Sequence, residues 1–310
     1  MTGTTIRIGT RASPMALAQA RFVMARLSAL DGPAPGTVLE LVPLMTTGDR
    51  ILDRPLADVG GKGLFVKELQ RALLDGSIDL AVHSLKDVES NTVEGLGLAA
   101  ILPRDDPRDA FLSRDGRRLM DLPAGARVGT SSPRRLAFLR RLRPDLELVP
   151  MRGNVNSRLA KLDAGVCDGL VLALSGLTRL GFEQRVTEIL EVERMLPAAG
   201  QGALAVECRT SDAAVTALVA RLACARTTLM VRAERAVLAA VSGNCHTPLA
   251  AYADIGEDGL PRLRATLFDP AGASAWSVEG SSSREELERL GQRLGSELRA
   301  VAERAHANLG

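Results

Sequence analysis

The chain has 310 residues, a length that suits two or three domains and leaves ample room for a buried core. Hydrophobic residues are 46% and charged residues 25%, the balance of a globular protein rather than a disordered one. The 39 Lys and Arg against 37 Asp and Glu leave a formal charge of +2 and aromatics are only 3%, which disfavours nucleic-acid binding by a basic surface or by base stacking.

Residues 6–9 read as a buried strand, and residues 14–30 as a helix with Ser13 as its N-cap and Pro14 at the first helical position. Strands follow at 38–44, 78–82 and 96–102, with a second helix over 64–74. The segment 46–63 is long and rich in glycine (Gly48, Gly60, Gly61, Gly63), and loops of that length are usually functional. The pattern then recurs. Arg127-Val128-Gly129-Thr130-Ser131-Ser132-Pro133 echoes Arg7-Ile8-Gly9-Thr10-Arg11-Ala12-Ser13-Pro14, and the apolar run ending at Leu174-Ser175 echoes the one ending at His83-Ser84.

These echoes predict an internal duplication: two similar α/β domains facing a cleft, joined by connections at 103–109 and 196–202 that read as crossovers or hinges. Ligands of such open sheets bind beyond the carboxyl ends of the strands. The last ninety residues differ. A helix over 225–241, strands at 249–253, 263–268 and 276–279, and a final helix from Ser283 predict a small α+β domain. Glu286 is placed to complete a capping box with Ser283, and Leu287, Leu290, Leu294, Leu298 and Val301 form one apolar stripe. The domain boundaries expected are 1–102 with 200–220, 103–199, and 221–310.

The four cysteines (Cys167, Cys208, Cys224, Cys245) form no C-x-x-C pair and the three histidines are scattered, so neither a metal site nor a disulfide framework is expected. No apolar stretch is long enough to span a membrane and the first ten residues lack a signal-peptide core, so the expected location is the cytoplasm. Ser13 and Ser132 stand at helix N-termini, which favour anions. Arg11, Thr130, Arg134, Arg135, Arg152 and Arg158 lie near them in sequence, and arginine suits a bidentate grip on carboxylates. Against the reading as solvated surface charge, the strand-to-helix positions of Arg11, Arg134, Arg135 and Arg152 favour a ligand with several acidic groups.

In Ala81-Val82-His83-Ser84-Leu85-Lys86-Asp87-Val88 a buried strand delivers small polar and charged groups to its mouth. Asp87 there is a catalytic carboxylate or an ordinary surface partner of Lys86, and His83 reads as a hydrogen-bonded core residue. Cys245, in the loop Ser242-Gly243-Asn244-Cys245-His246-Thr247-Pro248, is a small hydrophobe or an exposed nucleophile. Cys167 and Cys208 look structural, as does Cys224, which is expected on a helix. Gly60-Gly61-Lys62-Gly63 lacks the other residues of a nucleotide-phosphate loop.

Taken in order, several motifs resemble the porphobilinogen deaminase family nearly end to end. They are Thr10-Arg11-Ala12-Ser13-Pro14, Val59-Gly60-Gly61-Lys62-Gly63, His83-Ser84-Leu85-Lys86-Asp87, Asp106-Pro107-Arg108-Asp109, Gly129-Thr130-Ser131-Ser132, Arg152-Gly153-Asn154 and Leu196-Pro197-Ala198-Ala199-Gly200-Gln201-Gly202. The resemblance implies two domains like those of periplasmic binding proteins, a third small domain, and a monomer. It implies a transferase that joins porphobilinogen head to tail with loss of ammonia and releases hydroxymethylbilane. The chain would grow on one dipyrromethane cofactor held by a thioether to Cys245. It further implies that Asp87 is catalytic, that Ser84, Lys86, Asp87, Thr130, Ser132, Arg134, Arg135 and Arg158 bind the cofactor, and that Arg11, Ser13, Arg152 and Arg158 bind substrate. The family's usual residues are replaced at Asn244, Thr47 and Glu89, none of which removes a chemically required group. The competing class is a periplasmic-type ligand binder without chemistry, which a third domain carrying Cys245 argues against.

Overall fold

A computed structural model describes residues 5–30, 37–46, 66–90, 93–243 and 247–307. The chain divides into two compact units, residues 1–105 with 203–228 and residues 106–202 with 229–310. In chain order the first unit contributes β1 (Thr5–Arg11), α1 (Pro14–Ser28), β2 (Val38–Leu44), α2 (Lys67–Leu74), β3 (Leu80–Ser84) and β4 (Leu96–Ile101). The second follows with β5 (Asp109–Ser113), β6 (Arg127–Gly129), α3 (Pro133–Leu142), β7 (Glu147–Val149), α4 (Val155–Asp163), β8 (Gly169–Ala173), α5 (Leu174–Arg179) and β9 (Glu188–Leu190). Next come β10 (Leu204–Arg209), α6 (Ala213–Ala220) and α7 (Ala225–Ala240), then β11 (Leu249–Ile255), β12 (Pro261–Phe268), β13 (Ala275–Ser281) and α8 (Leu287–Ala307).

The two five-stranded sheets have the same plan. Their orders are β2-β1-β3-β10-β4 and β7-β6-β8-β5-β9. In each, three parallel strands meet an antiparallel strand supplied by a distant part of the chain: β10 lies against β3 and β4, and β5 against β8 and β9. The duplication extends to side chains. Arg7 of β1 and Arg127 of β6 each give a backbone N–H to the carboxylate of Asp79 or Asp168 at 2.8 Å. Each aspartate returns its own N–H to the arginine carbonyl. A further repeat, Glu-Leu-Val-Pro at residues 40–43 and 147–150, places β2 beside β1 and β7 beside β6 in the same register.

Helices cover both faces of each sheet, so the strands read as unbroken apolar runs. In the first unit, Ala20, Val23 and Leu27 of α1 pack on Ile8, Leu80, Val82 and Val206, while Leu69 and Leu73 of α2 pack with Ile78 and Ala81 opposite. In the second, Leu159 and Leu162 of α4 pack on Leu112, Leu170 and Leu172, and Leu139 of α3 meets Phe111, Val128 and Val171. The last domain is an antiparallel meander, β11-β12-β13, whose buried face meets Leu287, Leu290, Leu294 and Leu298 of α8. Gly291 and Gly295 let α8 lie close against α7: a Cβ on Gly291 would strike the Ala233 carbonyl, and one on Gly295 would sit 2.7 Å from the Val237 carbonyl.

Several local expectations need correction. The third strand begins at Leu80, with Ile78 and Asp79 in the turn before it. The final helix begins at Leu287 rather than Ser283. Ser283 bonds the Glu285 carboxylate and Glu286 pairs with Arg289 at 2.9 Å, so the capping box does not form. Cys224 stands just ahead of α7 rather than within it, and hydrogen bonds from Thr227 to its sulfur lower the thiol pKa. Burial raises Cys167 and pushes Cys208 up to about 12, which fits inert core thiols.

The crossover over 196–202 is tied by hydrogen bonds within its own unit. Arg134 donates to the Leu196 carbonyl, Ala251 to that of Pro197, and Gly200 to the fully buried Glu234 carboxylate at 2.7 Å. The other Glu234 oxygen takes the Ala253 N–H at 2.9 Å.

Candidate active site

The Gly-Thr-to-Ser-Pro turns behave as the sequence implies. Ser13 accepts the Ala16 N–H at 3.3 Å and Ser132 the Arg135 N–H at 3.5 Å, each capping its helix while retaining its own O–H as a donor. Thr10 and Thr130 are buried; Thr10 donates to the Ala16 carbonyl, and Thr130 accepts from the Ser132 N–H. Arg11 ends β1 and is half-buried.

At the mouth of β3 the chain makes one tight 3-10 turn, Leu85–Asp87. Leu85 is fully buried and its N–H bonds the Ala203 carbonyl, which locks the turn to the sheet and leaves Lys86 and Asp87 half-buried after it. Among the described residues, no hydrogen bond or ion pair engages the Asp87 carboxylate. Ser84 is bonded to Gln19 of α1 at 2.8 Å. His83 is the core residue expected, its Nε2 3.1 Å from the buried Glu207 carboxylate, which also takes the Gln70 amide at 3.0 Å.

The second domain carries the concentrated charge. Arg134 and Arg135, at the head of α3, are buried and both donate to Asp109 at 2.7 Å. Arg134 also donates to the Leu196 carbonyl, Arg135 to that of Val171, and Gln201 to Asp109 at 2.9 Å. Burial alone would raise the Asp109 pKa, but the two guanidiniums outweigh it and hold the carboxyl well below the usual range. Burial also pulls Arg134 below an ordinary arginine, with Arg135 adding to that and Asp109 opposing it. Two cations thus share one anion, and Arg134 Nε is a buried donor with no acceptor among the described residues. Arg152 follows β7 in the turn at Gly153, whose φ of +107° requires glycine, and Arg158 on α4 bonds the Gly153 carbonyl through Nε at 2.8 Å.

Cys245 lies outside the described residues, as do residues 47–63 of the long loop. The helix leading to that cysteine is described, and it ends in a Schellman turn: Gly243 N–H bonds Leu238 C=O and Ser242 N–H bonds Ala239 C=O. Ser242 takes the left-handed φ of +57° usually left to glycine, and Arg299 of α8 donates to its hydroxyl. Sequence reasoning did not single out Asp109, Gln201, Glu234 or Gln19. A lone aspartate opening the apolar run Asp109-Ala110-Phe111-Leu112 was the available signal for the first. A dipyrromethane bearing acetate and propionate groups fits this donor set, because an orphan guanidinium N–H and excess positive charge both call for carboxylates.

Two duplicated α/β domains, each with a capped Ser-Pro helix start, and a third small sheet-and-helix domain define a multidomain α/β protein. The family model "Porphobilinogen deaminase, dipyromethane cofactor binding domain" matches residues 6–217, and "Porphobilinogen deaminase, C-terminal domain" matches 228–300. A porphobilinogen deaminase of Sorangium cellulosum is 51% identical over 300 residues, covering 96% of this chain and 99% of that protein. The chain belongs to the porphobilinogen deaminase family. It is a transferase of tetrapyrrole biosynthesis that polymerises porphobilinogen on a dipyrromethane cofactor and releases hydroxymethylbilane.

Among solved structures, the VFT2 domain of Bordetella pertussis BvgS is similar at 16% identity and a TM-score of 0.40, covering 71% of this chain and 86% of that one. A TRAP periplasmic solute binding protein from Ochrobactrum anthropi is similar at 13% and 0.40, covering 72% and 74%. The fold is two sheet-rich α/β domains plus a small C-terminal domain with a sheet and helices. Among the described residues, no single helix is long and apolar enough to cross a membrane.

Proposed function

We propose that Asp87 is the catalytic carboxylate of this condensation and that Cys245 carries the cofactor. Loss of ammonia from porphobilinogen leaves an electron-poor carbon conjugated to the ring nitrogen, and attack by a second pyrrole moves positive charge onto that ring. Asp87, set by a locked turn and engaged by no partner among the described residues, stabilises that charge and exchanges protons with the pyrrole nitrogens. The placement of this carboxylate at the mouth of β3 is the observation that carries the reading. When bound, dipyrromethane supplies the nucleophilic terminal pyrrole on which growth begins.

Ser84, Lys86, Thr130, Ser132, Arg134, Arg135 and Arg158 hold cofactor carboxylates, and Arg11, Ser13, Arg152 and Arg158 hold those of incoming substrate. Charge complementarity supports this, since every pyrrole added brings an acetate and a propionate. The protein works as a cytoplasmic monomer without nucleic-acid or membrane partners, a reading its near-balanced charge supports. Its three domains comprise residues 1–102 with 200–220, 103–199, and 221–310.

Intact-mass measurement and an assay of uroporphyrin formed from porphobilinogen test the two central roles. The wild type carries a dipyrromethane adduct that Cys245→Ser lacks, and Asp87→Ala keeps the adduct but loses turnover. An Asp87→Ala protein with normal turnover would refute the catalytic role. An adduct surviving Cys245→Ser would refute the attachment site.

A further inference from the structure

The two halves of the duplicated fold close the same corner with different chemistry. Strand registers pair Leu204 with Ser84 and Asp109 with Ala173, so Leu204 and Asp109 occupy equivalent positions. Counted from the Ser-Pro helix starts, Met15 and Ala16 correspond to Arg134 and Arg135. The first half therefore completes this corner with Leu204, Met15 and Ala16, two of them buried and all without charge. The second half places three ionised groups there, with Asp109 fully buried and the arginine side chains 4% and 7% exposed.

Burying an ion triad gains little over well-packed apolar residues, because desolvation offsets the attraction. The first half shows that this fold needs no charge at the corner, so the charge of the second half serves something other than folding. Each guanidinium is bonded on two sides, to Asp109 and to a main-chain carbonyl (Leu196 for Arg134, Val171 for Arg135), which leaves it no freedom to rotate. Gln201 steadies Asp109 in turn, and its amide also bonds the Pro107 carbonyl. One positive charge remains uncompensated within the cluster, and Arg134 Nε lacks an acceptor among the described residues.

We propose that Asp109 is a positioning residue: it fixes the Arg134–Arg135 pair as a preorganised receptor for a carboxylate of the pyrrole chain. This rests on the reading of those arginines as ligand-binding, and the two claims are separated by two variants. Asp109→Asn keeps both cations and the shape of the side chain but removes the anchor. The triple variant Asp109→Leu/Arg134→Met/Arg135→Ala gives the second half the corner residues of the first.

Melting temperature, intact mass and the split of kcat from KM are measured for each at a temperature where it is folded. Asp109→Asn should retain the adduct and raise KM for porphobilinogen ~10-fold, with a much smaller change in kcat. A purely structural role would lower the melting temperature and leave the KM of the folded fraction unchanged, and that result would overturn the proposal for Asp109 alone. The triple variant should melt near the wild type yet lack the adduct. If it folds, carries the adduct and keeps the wild-type KM, both claims fail. If it does not fold, the cluster is structural and the proposal is overturned as well.

Discussion

The first and second α/β domains share a strand order, a supporting Arg–Asp tie and a capped Ser-Pro helix start, yet several of their charged groups do not correspond. Asp87 of the first aligns with Gly176 of the second, and Met15, Ala16 and Leu204 align with Arg134, Arg135 and Asp109. The His83–Glu207 pair corresponds to Leu172 and Leu112, both buried in the second core. Backbone pairing fixes the scaffold and tolerates either an apolar or a charged filling at the same place. On the reading proposed above, the first domain supplies the reactive carboxylate and the second the fixed cations.

The largest effect that would break this comparison is catalytic. Asp87→Ala should slow uroporphyrin formation at least ~100-fold, about 2.7 kcal/mol, while the protein stays folded. Adding Gly176→Asp in that background should restore nothing, because the second domain enters α5 where the first makes its 3-10 turn. Recovered turnover would show that the halves are interchangeable. Next, Glu207→Ala should destabilise the protein by about 1–3 kcal/mol by leaving His83 unpaired in the core. The double replacement His83→Leu/Glu207→Leu, which copies the second half, should cost less than that single change in urea titrations.

A comparable effect concerns Asp79. Burial works to raise its pKa, but hydrogen bonds from Arg7 and Arg209 outweigh burial and lower it. A carboxyl depressed on folding contributes stability above its unfolded pKa of about 3.9, and that contribution is lost as pH falls below this value. Asp79→Asn should therefore cost about 1.5–3 kcal/mol at neutral pH, and a smaller share of that cost should remain at a pH near 3 by urea titration. Smallest of all, Ser13→Ala and Ser132→Ala should each lower stability by about 1 kcal/mol, equally in the two halves, since each removes one helix cap. Unequal losses would show that the two turns bear different loads.

Much of the fold was legible because it is local and periodic. Val38–Leu44 emerges with the bounds the apolar pattern implies, and the Ser13 and Ser132 caps follow from residue type and the proline beside them. The close α7–α8 crossing was not legible. It depends on which face of a helix meets a partner, so Gly291 and Gly295 look like weak points until Ala233 and Val237 are seen against them. The capping box at Ser283 failed for a related reason: three residues of turn separate that serine from the helix it was expected to start.

By itself the sequence determined the duplicated α/β plan, the family, and the residue types available for handling carboxylates. Hydrophobic period, capping chemistry and motif order are all written along the chain. Only the tertiary structure decided which charges are held by other charges. Asp109 lies 25 residues from Arg134 and 92 from Gln201, and only folding brings them together. Burial and pairing arise between distant segments, and they determine whether a guanidinium is solvated, locked or left with one donor unmatched.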